Sequence, residues 1–140
     1  MRAKTWIAAF VFMTLGGVAT TAEKDQKPVA DLTQLMQAMV IPASNAIFDV
    51  ARNAPADDAA WKKVERNAVL LGESGNLLLI RGRAKNTAEW QDSSRALIEA
   101  GEVVLAAVKR RDADAVVEAG NIIIDSCETC HLAHWDRRAD

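Results

Sequence analysis

The sequence predicts an all-α protein, an antiparallel up-down-up-down four-helix bundle. Apolar residues recur in steps of three and four through four separate stretches, the spacing that lines one face of a helix. Only short breaks of about two to six residues separate the stretches, which folds each helix back against the one before it. The composition agrees. There is no tyrosine, there are only three prolines, half of the residues are apolar, and 140 residues give one domain a sizeable core.

Residues 1–22 read as an export signal rather than as part of the fold. Arg2 and Lys4 make a positive start, and Trp6 to Val18 is an apolar run without charge. Small residues then lead to cleavage after Ala19 or Ala22. The run is short for a membrane span, which needs about 20 apolar residues, so stable membrane insertion after cleavage is not expected. Residues 23–30 form a polar linker, and 31–140 hold the bundle.

The first helix starts at Asp31, whose side chain caps the free amides while Gln34 reaches back. Leu32, Leu35, Met36, Met39, Val40, Ala43, Ile47 and Val50 form its apolar face. Pro42 is expected to kink this helix or to remove one of its hydrogen bonds. Asn53-Ala54-Pro55 ends it. The second helix, capped by Asp57 or Asp58, carries the seam Trp61, Val64, Ala68, Leu71, Gly75 and Leu78 and stops at Arg81-Gly82-Arg83. These two arginines read as a solvated turn, with pairing to a bound carboxylate as the alternative.

The third helix is expected to open with Asn86 and Glu89 at capping-box spacing. Its seam is Trp90, Ser94, Leu97, Gly101, Val104 and Val108, with Ile98 and Leu105 beside it. Lys109, Arg110 and Arg111 close it, where cations complement the helix dipole. The fourth starts at Asp112 or Asp114. Its seam is Val116, Gly120, Ile123, Cys127, Cys130 and His134, flanked by Val117, Ile124 and His131. Gly75, Gly101 and Gly120 each cost about 1 kcal/mol against alanine in a helix interior. Two reasons for them are equally open, room for a flat ligand and close approach of two helices.

The chemistry is concentrated in Cys127-Glu128-Thr129-Cys130-His131, which holds both cysteines and one of the two histidines. C-x-x-C-H is the attachment signature of c-type haem. On a helix, positions i, i+3 and i+4 share a face. Two sulfurs can then bond the vinyl-derived carbons of one porphyrin edge while the imidazole meets the iron as an axial ligand. A thioredoxin-type redox pair wants a βαβ context that the pattern lacks, a zinc site wants a second pair of ligands, and a chance cluster is the remaining alternative. Both cysteines belong to the motif, so no structural disulfide is expected.

An export signal, a four-helix pattern and a C-terminal C-x-x-C-H resemble the class II c-type cytochromes, the cytochrome c-prime group and its low-spin relatives, over essentially the whole mature chain. The resemblance implies one covalent haem c held inside the bundle by Cys127 and Cys130, with His131 as proximal iron ligand. It places the distal residue on the first helix, a methionine in low-spin members and a small apolar side chain in five-coordinate ones. Met36 suits the methionine position better, with Met39 in reserve. Where the family usually has Phe or Tyr followed by Arg or Lys after the motif, this chain has His134 and Trp135. His134 would stay on the proximal side and pack or hydrogen-bond near the haem edge, while Trp61, Trp90 and Trp135 read as core and rim aromatics.

The function implied is that of a periplasmic carrier of single electrons, not an enzyme, with redox proteins of the periplasm as partners and a homodimer as one possible assembly. The alternative from another class is a five-coordinate haem protein that senses or scavenges nitric oxide or carbon monoxide. A peroxidase is disfavoured because no distal His and Arg pair can be assigned. Loss of the signal removes two positive charges and no negative ones from a formal net charge of −2, leaving −4. That acidity disfavours nucleic acid and anionic membrane as partners.

Overall fold

The computed structural model describes residues 27–80 and 82–135. The expected export signal and the first half of the linker lie outside the described residues, as do Arg81 and the last five positions. Among the described residues there is no strand, and no helix is long and apolar enough to cross a membrane.

Four helices pack against one another. The first, α1, is composite. An α-helical turn over Leu32–Leu35 leads into a wider π-helical turn over Met36–Val40, then an α-helical run over Ile41–Phe48 and a 3₁₀ turn over Asp49–Ala51. The capping box is formed as the sequence predicts. Gln34 N–H donates to Asp31 Oδ1 at 2.7 Å, and Asp31 N–H donates to Gln34 Oε1 at 3.0 Å. Pro42 removes one backbone donor, as expected, but does not stop the helix. The turn before it widens, with Ile41 N–H donating to Met36 C=O, and the proline falls in the first turn of the next α-helical run, where a missing N–H costs least. Ser44 Oγ–H donates to the buried Val40 carbonyl at 2.7 Å, tying that junction together.

The remaining helices are α2 over Asp58–Leu79, α3 over Ala88–Arg110 and α4 over Ala113–His134. Asp57 caps α2 and Asp112 caps α4, each accepting from the amide three residues on. For α3 the expected cap at Asn86 is one residue early. Thr87 Oγ1 accepts from Trp90 N–H at 3.2 Å, and its third helical position is Trp90, so no reciprocal Glu89 bond is possible. Between α3 and α4 the chain reverses within two residues. Arg111 takes the left-handed conformation (φ 53°), and Asp112 N–H and Arg111 N–H close back on the Ala107 and Val108 carbonyls, a Schellman arrangement built without glycine.

Consecutive helices run antiparallel. Trp90, at the start of α3, donates through Nε1 to the Leu78 carbonyl near the end of α2 at 3.0 Å. Ser126, near the end of α4, donates to the Ser93 carbonyl near the start of α3 at 2.7 Å. At the opposite end of the bundle Arg111 pairs with Asp58. All four helices supply fully buried side chains, among them Ile47, Leu71, Val104 and Ile123. Each such side chain contributes about 1.5–3 kcal/mol relative to exposure.

The seams of α2 and α3 are buried at every predicted position. In α4 the prediction fails in part. Val117 and Ile124 are 41% and 50% exposed, and the buried set is Val116, Ala119, Gly120, Ile123 and Ser126. The buried stripe of α4 turns towards α3, which leaves the side facing the start of α1 less covered. The glycines divide as well. A Cβ on Gly101 would stand 2.8 Å from the Gly72 Cα, and one on Gly75 would stand 2.8 Å from the Ser94 carbonyl oxygen, so both serve close approach of α2 and α3. Neither makes room for a ligand.

Candidate functional site

The end of the bundle where α1 and α3 begin and α2 and α4 end collects the chemistry-bearing residues. A pocket there is lined by Met36 and Val40 of α1, Leu78 of α2, Ser93, Ser94 and Leu97 of α3, and Ser126, Cys127, Cys130 and His131 of α4. The C-x-x-C-H residues reach one wall together because their spacing places them on one face of a helix. Cys127 and Cys130 are half-buried, and His131 is more open to solvent. Met36 comes from the π-helical turn. Met39, on the same turn, packs against the core but does not line the pocket.

Local packing explains why this end is the looser one. The run Ile41–Phe48 packs against both α2 and α4, and the 3₁₀ turn packs on α4, whereas the π-helical turn Met36–Val40 packs on α2. The face between the first half of α1 and the last half of α4 is therefore the weakest join in the bundle. The space enclosed there is about 30 Å³, one water's share of liquid volume rather than the several hundred that a drug-sized ligand fills.

Three serines line the pocket and use their hydroxyls differently. Ser94 donates to the Trp90 carbonyl and Ser126 to the Ser93 carbonyl. Ser93 Oγ, on a residue 5% exposed, has no hydrogen-bond partner. Ser93 and Ser126 are not legible as pocket residues in the sequence. Their signal was a small polar residue one step from an otherwise apolar stripe, a pattern that buried serines bonding their own helix also produce.

Both thiols are held in the protonated form. Burial pushes Cys127 up, and the neighbouring Cys130 adds to the effect. Burial also pushes Cys130 up, with Lys85 pulling weakly the other way. The pair sits in the last turns of α4, where the negative end of the helix dipole disfavours a thiolate. Redox-active C-x-x-C pairs use the opposite arrangement, a helix N-terminus that lowers the thiol pKa. Among the described residues no group of three or more His, Cys, Asp or Glu side chains is gathered as a metal site, so the zinc alternative gains no support.

His134 lies on the inner side of the last turn of α4, with its Nε2 3.2 Å from Thr87 Oγ1 and its ring packed edge-on against Trp90 at 5.4 Å between centroids. Trp135 stands edge-on to His131 at 5.1 Å. Trp61 and Trp90 belong to the core, and Trp135 is half exposed.

The donor set suits a c-type haem. Two thiols and an imidazole share one wall, a thioether faces the same space from another helix, and apolar Val40, Leu78 and Leu97 complete the lining. A porphyrin enters this space only if the first half of α1 and the end of α4 move apart, along the join that is packed least. Comparison with protein families, with curated proteins and with solved structures finds no match.

Proposed function

We propose that this chain is an exported haem c protein that carries single electrons in the periplasm, similar to the low-spin class II cytochromes. The observation that carries the reading is the meeting of Met36 with Cys127, Cys130 and His131 in one pocket, although about ninety residues separate them in the chain.

Cys127 and Cys130 would hold a haem covalently, each thiol adding across one vinyl group, and their protonated resting state keeps them from competing side reactions. His131 would serve as proximal iron ligand and Met36 as the distal one. When bound, the haem supplies a one-electron ferric–ferrous couple, and His/Met ligation favours a low-spin iron and raises the potential. Val40, Leu78 and Leu97 would exclude water from the bound group, and the covalent links would retain it after export. The partners would be redox proteins of the periplasm.

Expression with a haem-attachment system tests the proposal. Haem should stay with the protein through denaturation and acid-acetone extraction, and the oxidised spectrum should be low-spin with a weak sulfur-to-iron band at the red edge. Freely extracted haem would sink the c-type assignment. A high-spin, five-coordinate spectrum would replace the carrier by the gas-binding reading, with Met36 as a packing residue.

A further inference from the structure

Arg83 is a charged side chain placed where an ordinary solvated turn would not put one. Gly82 takes a left-handed conformation (φ 89°) that glycine adopts without strain, and the turn closes through Arg83 and Ala84 N–H donating to the Ile80 carbonyl. This directs Arg83 back into the bundle end. Its two terminal nitrogens donate to the Leu77 carbonyl at 2.6 Å and to the Ala30 carbonyl at 2.7 Å, and its Nε is buried with no partner. The ion pairs seen among the described residues engage Arg52, Arg95, Arg110 and Arg111, none of them Arg83 or Lys85.

Neutral carbonyls solvate a guanidinium but do not neutralise it, and a half-buried charge without a counter-ion is costly. Arg83 is also next to the pocket. Leu77, which it grips, adjoins the lining residue Leu78, and Ala30 precedes the Asp31 cap of α1, the helix that supplies Met36. Lys85, two residues on, extends over the Trp90 ring at 5.6 Å and acts on the Cys130 thiol. Arg83 thus stands on the side of this bundle end formed by α1 and α2, whereas Lys85 stands on the Cys130 side. A haem fixed through its vinyl-derived edge to α4 carries its two carboxylates on the remote edge.

We propose that Arg83 forms a carboxylate-binding site that receives a propionate of the haem and so orients the ring within the bundle. This rests on the haem reading above. Arg83 acts as a positioning residue, its guanidinium keeping the propionate ionised and anchored while it continues to join the end of α2 to the start of α1. An exposed cation such as Lys85 contributes less, because water and salt screen it.

The test uses the haem-loaded protein and the dependence of its reduction potential on pH. In wild type a paired propionate titrates low, so the potential stays flat until acid pH. Arg83→Gln should move that bend upward by about 1 pH unit or more, Lys85→Gln should move it less, and Arg83→Lys, which keeps the charge but loses the forked bonds, should keep the bend near its wild-type position. Arg83→Gln is also made in a Cys127→Ala, Cys130→Ala background that cannot attach haem, where its effect on unfolding reads the link between Ala30 and Leu77 alone. Identical potential–pH profiles for wild type and Arg83→Gln, or an equal shift in the Lys variant, would overturn the carboxylate site while leaving the haem reading intact. A wild-type protein that acquires no covalent haem overturns both.

Discussion

The join between α2 and α3 and the join between α1 and α4 are built from similar residues and behave differently. Along α2 and α3, Gly72, Gly75 and Gly101 bring two backbones nearly into contact, and no side chain stands between Gly72 and Gly101. Between α1 and α4, a Cβ on Gly120 would stand 3.5 Å from the Phe48 ring, an ordinary contact. Beyond it the first half of α1 leans away towards α2. Small residues therefore do not by themselves mark either a tight seam or a ligand cleft. What decides is whether the opposing position is backbone or a side chain that can move. The proposed site lies on the join that can open, and the tight join on the other side keeps the bundle together while it does.

Four changes would break or sharpen this contrast, the largest first. In the haem-loaded protein, Met36→Ala should convert a low-spin spectrum to a high-spin one that binds carbon monoxide readily, whereas Met39→Ala should leave the spectrum almost unchanged. Met39 is only partly buried, so its loss should cost less than the about 2–5 kcal/mol of a fully buried side chain. The opposite pattern would move the ligand to Met39.

On the tight join, Gly101→Ala should destabilise the protein by about 1–3 kcal/mol in denaturant unfolding, because its Cβ meets the backbone of Gly72 and Ala68, which cannot give way locally. A neutral result would mean that α2 and α3 slide apart freely. Gly120→Ala should do the reverse. Its Cβ finds ordinary contact distances, so the gain in helix propensity, up to about 1 kcal/mol, should appear as a higher midpoint.

The smallest effect concerns the thiols before haem is attached. Their pKa values are raised on folding above the usual 9.0. The associated stability is complete below the unfolded value and is lost as pH rises through the folded values. Unfolding midpoints of the haem-free protein should therefore fall in that alkaline range, and the double Cys→Ala variant should not show the fall. Alkylation at mildly alkaline pH should be slower than for a free cysteine, and Lys85→Gln should slow it further at Cys130. Alkylation at the free-cysteine rate would show that this end of α4 is open in the haem-free state.

The amino-acid sequence by itself carried the helical class, the number of helices and most of their boundaries, because hydrophobic spacing and capping residues are local. Asp31 with Gln34 and Asp57 show this directly. It also carried the common face of Cys127, Cys130 and His131, a consequence of helical spacing alone. Asn86 lost the cap to Thr87 by one residue, since two adjacent side chains both had capping chemistry and the burial of Trp90 set the start. Only the tertiary structure decided the rest. Val117 and Ile124 satisfy the helical period yet face solvent, because α4 turns its stripe towards α3. Met36 and Met39 share one apolar face, where only the resemblance favours Met36, and the packing of the π-helical turn before Pro42 puts Met36, not Met39, against the pocket. Arg83 reads as turn punctuation until the turn at Gly82 folds it onto two carbonyls from segments far apart in the chain. Periodicity specifies which face of a helix is apolar, but which neighbour that face meets, and how closely, depends on the shape of all four helices together.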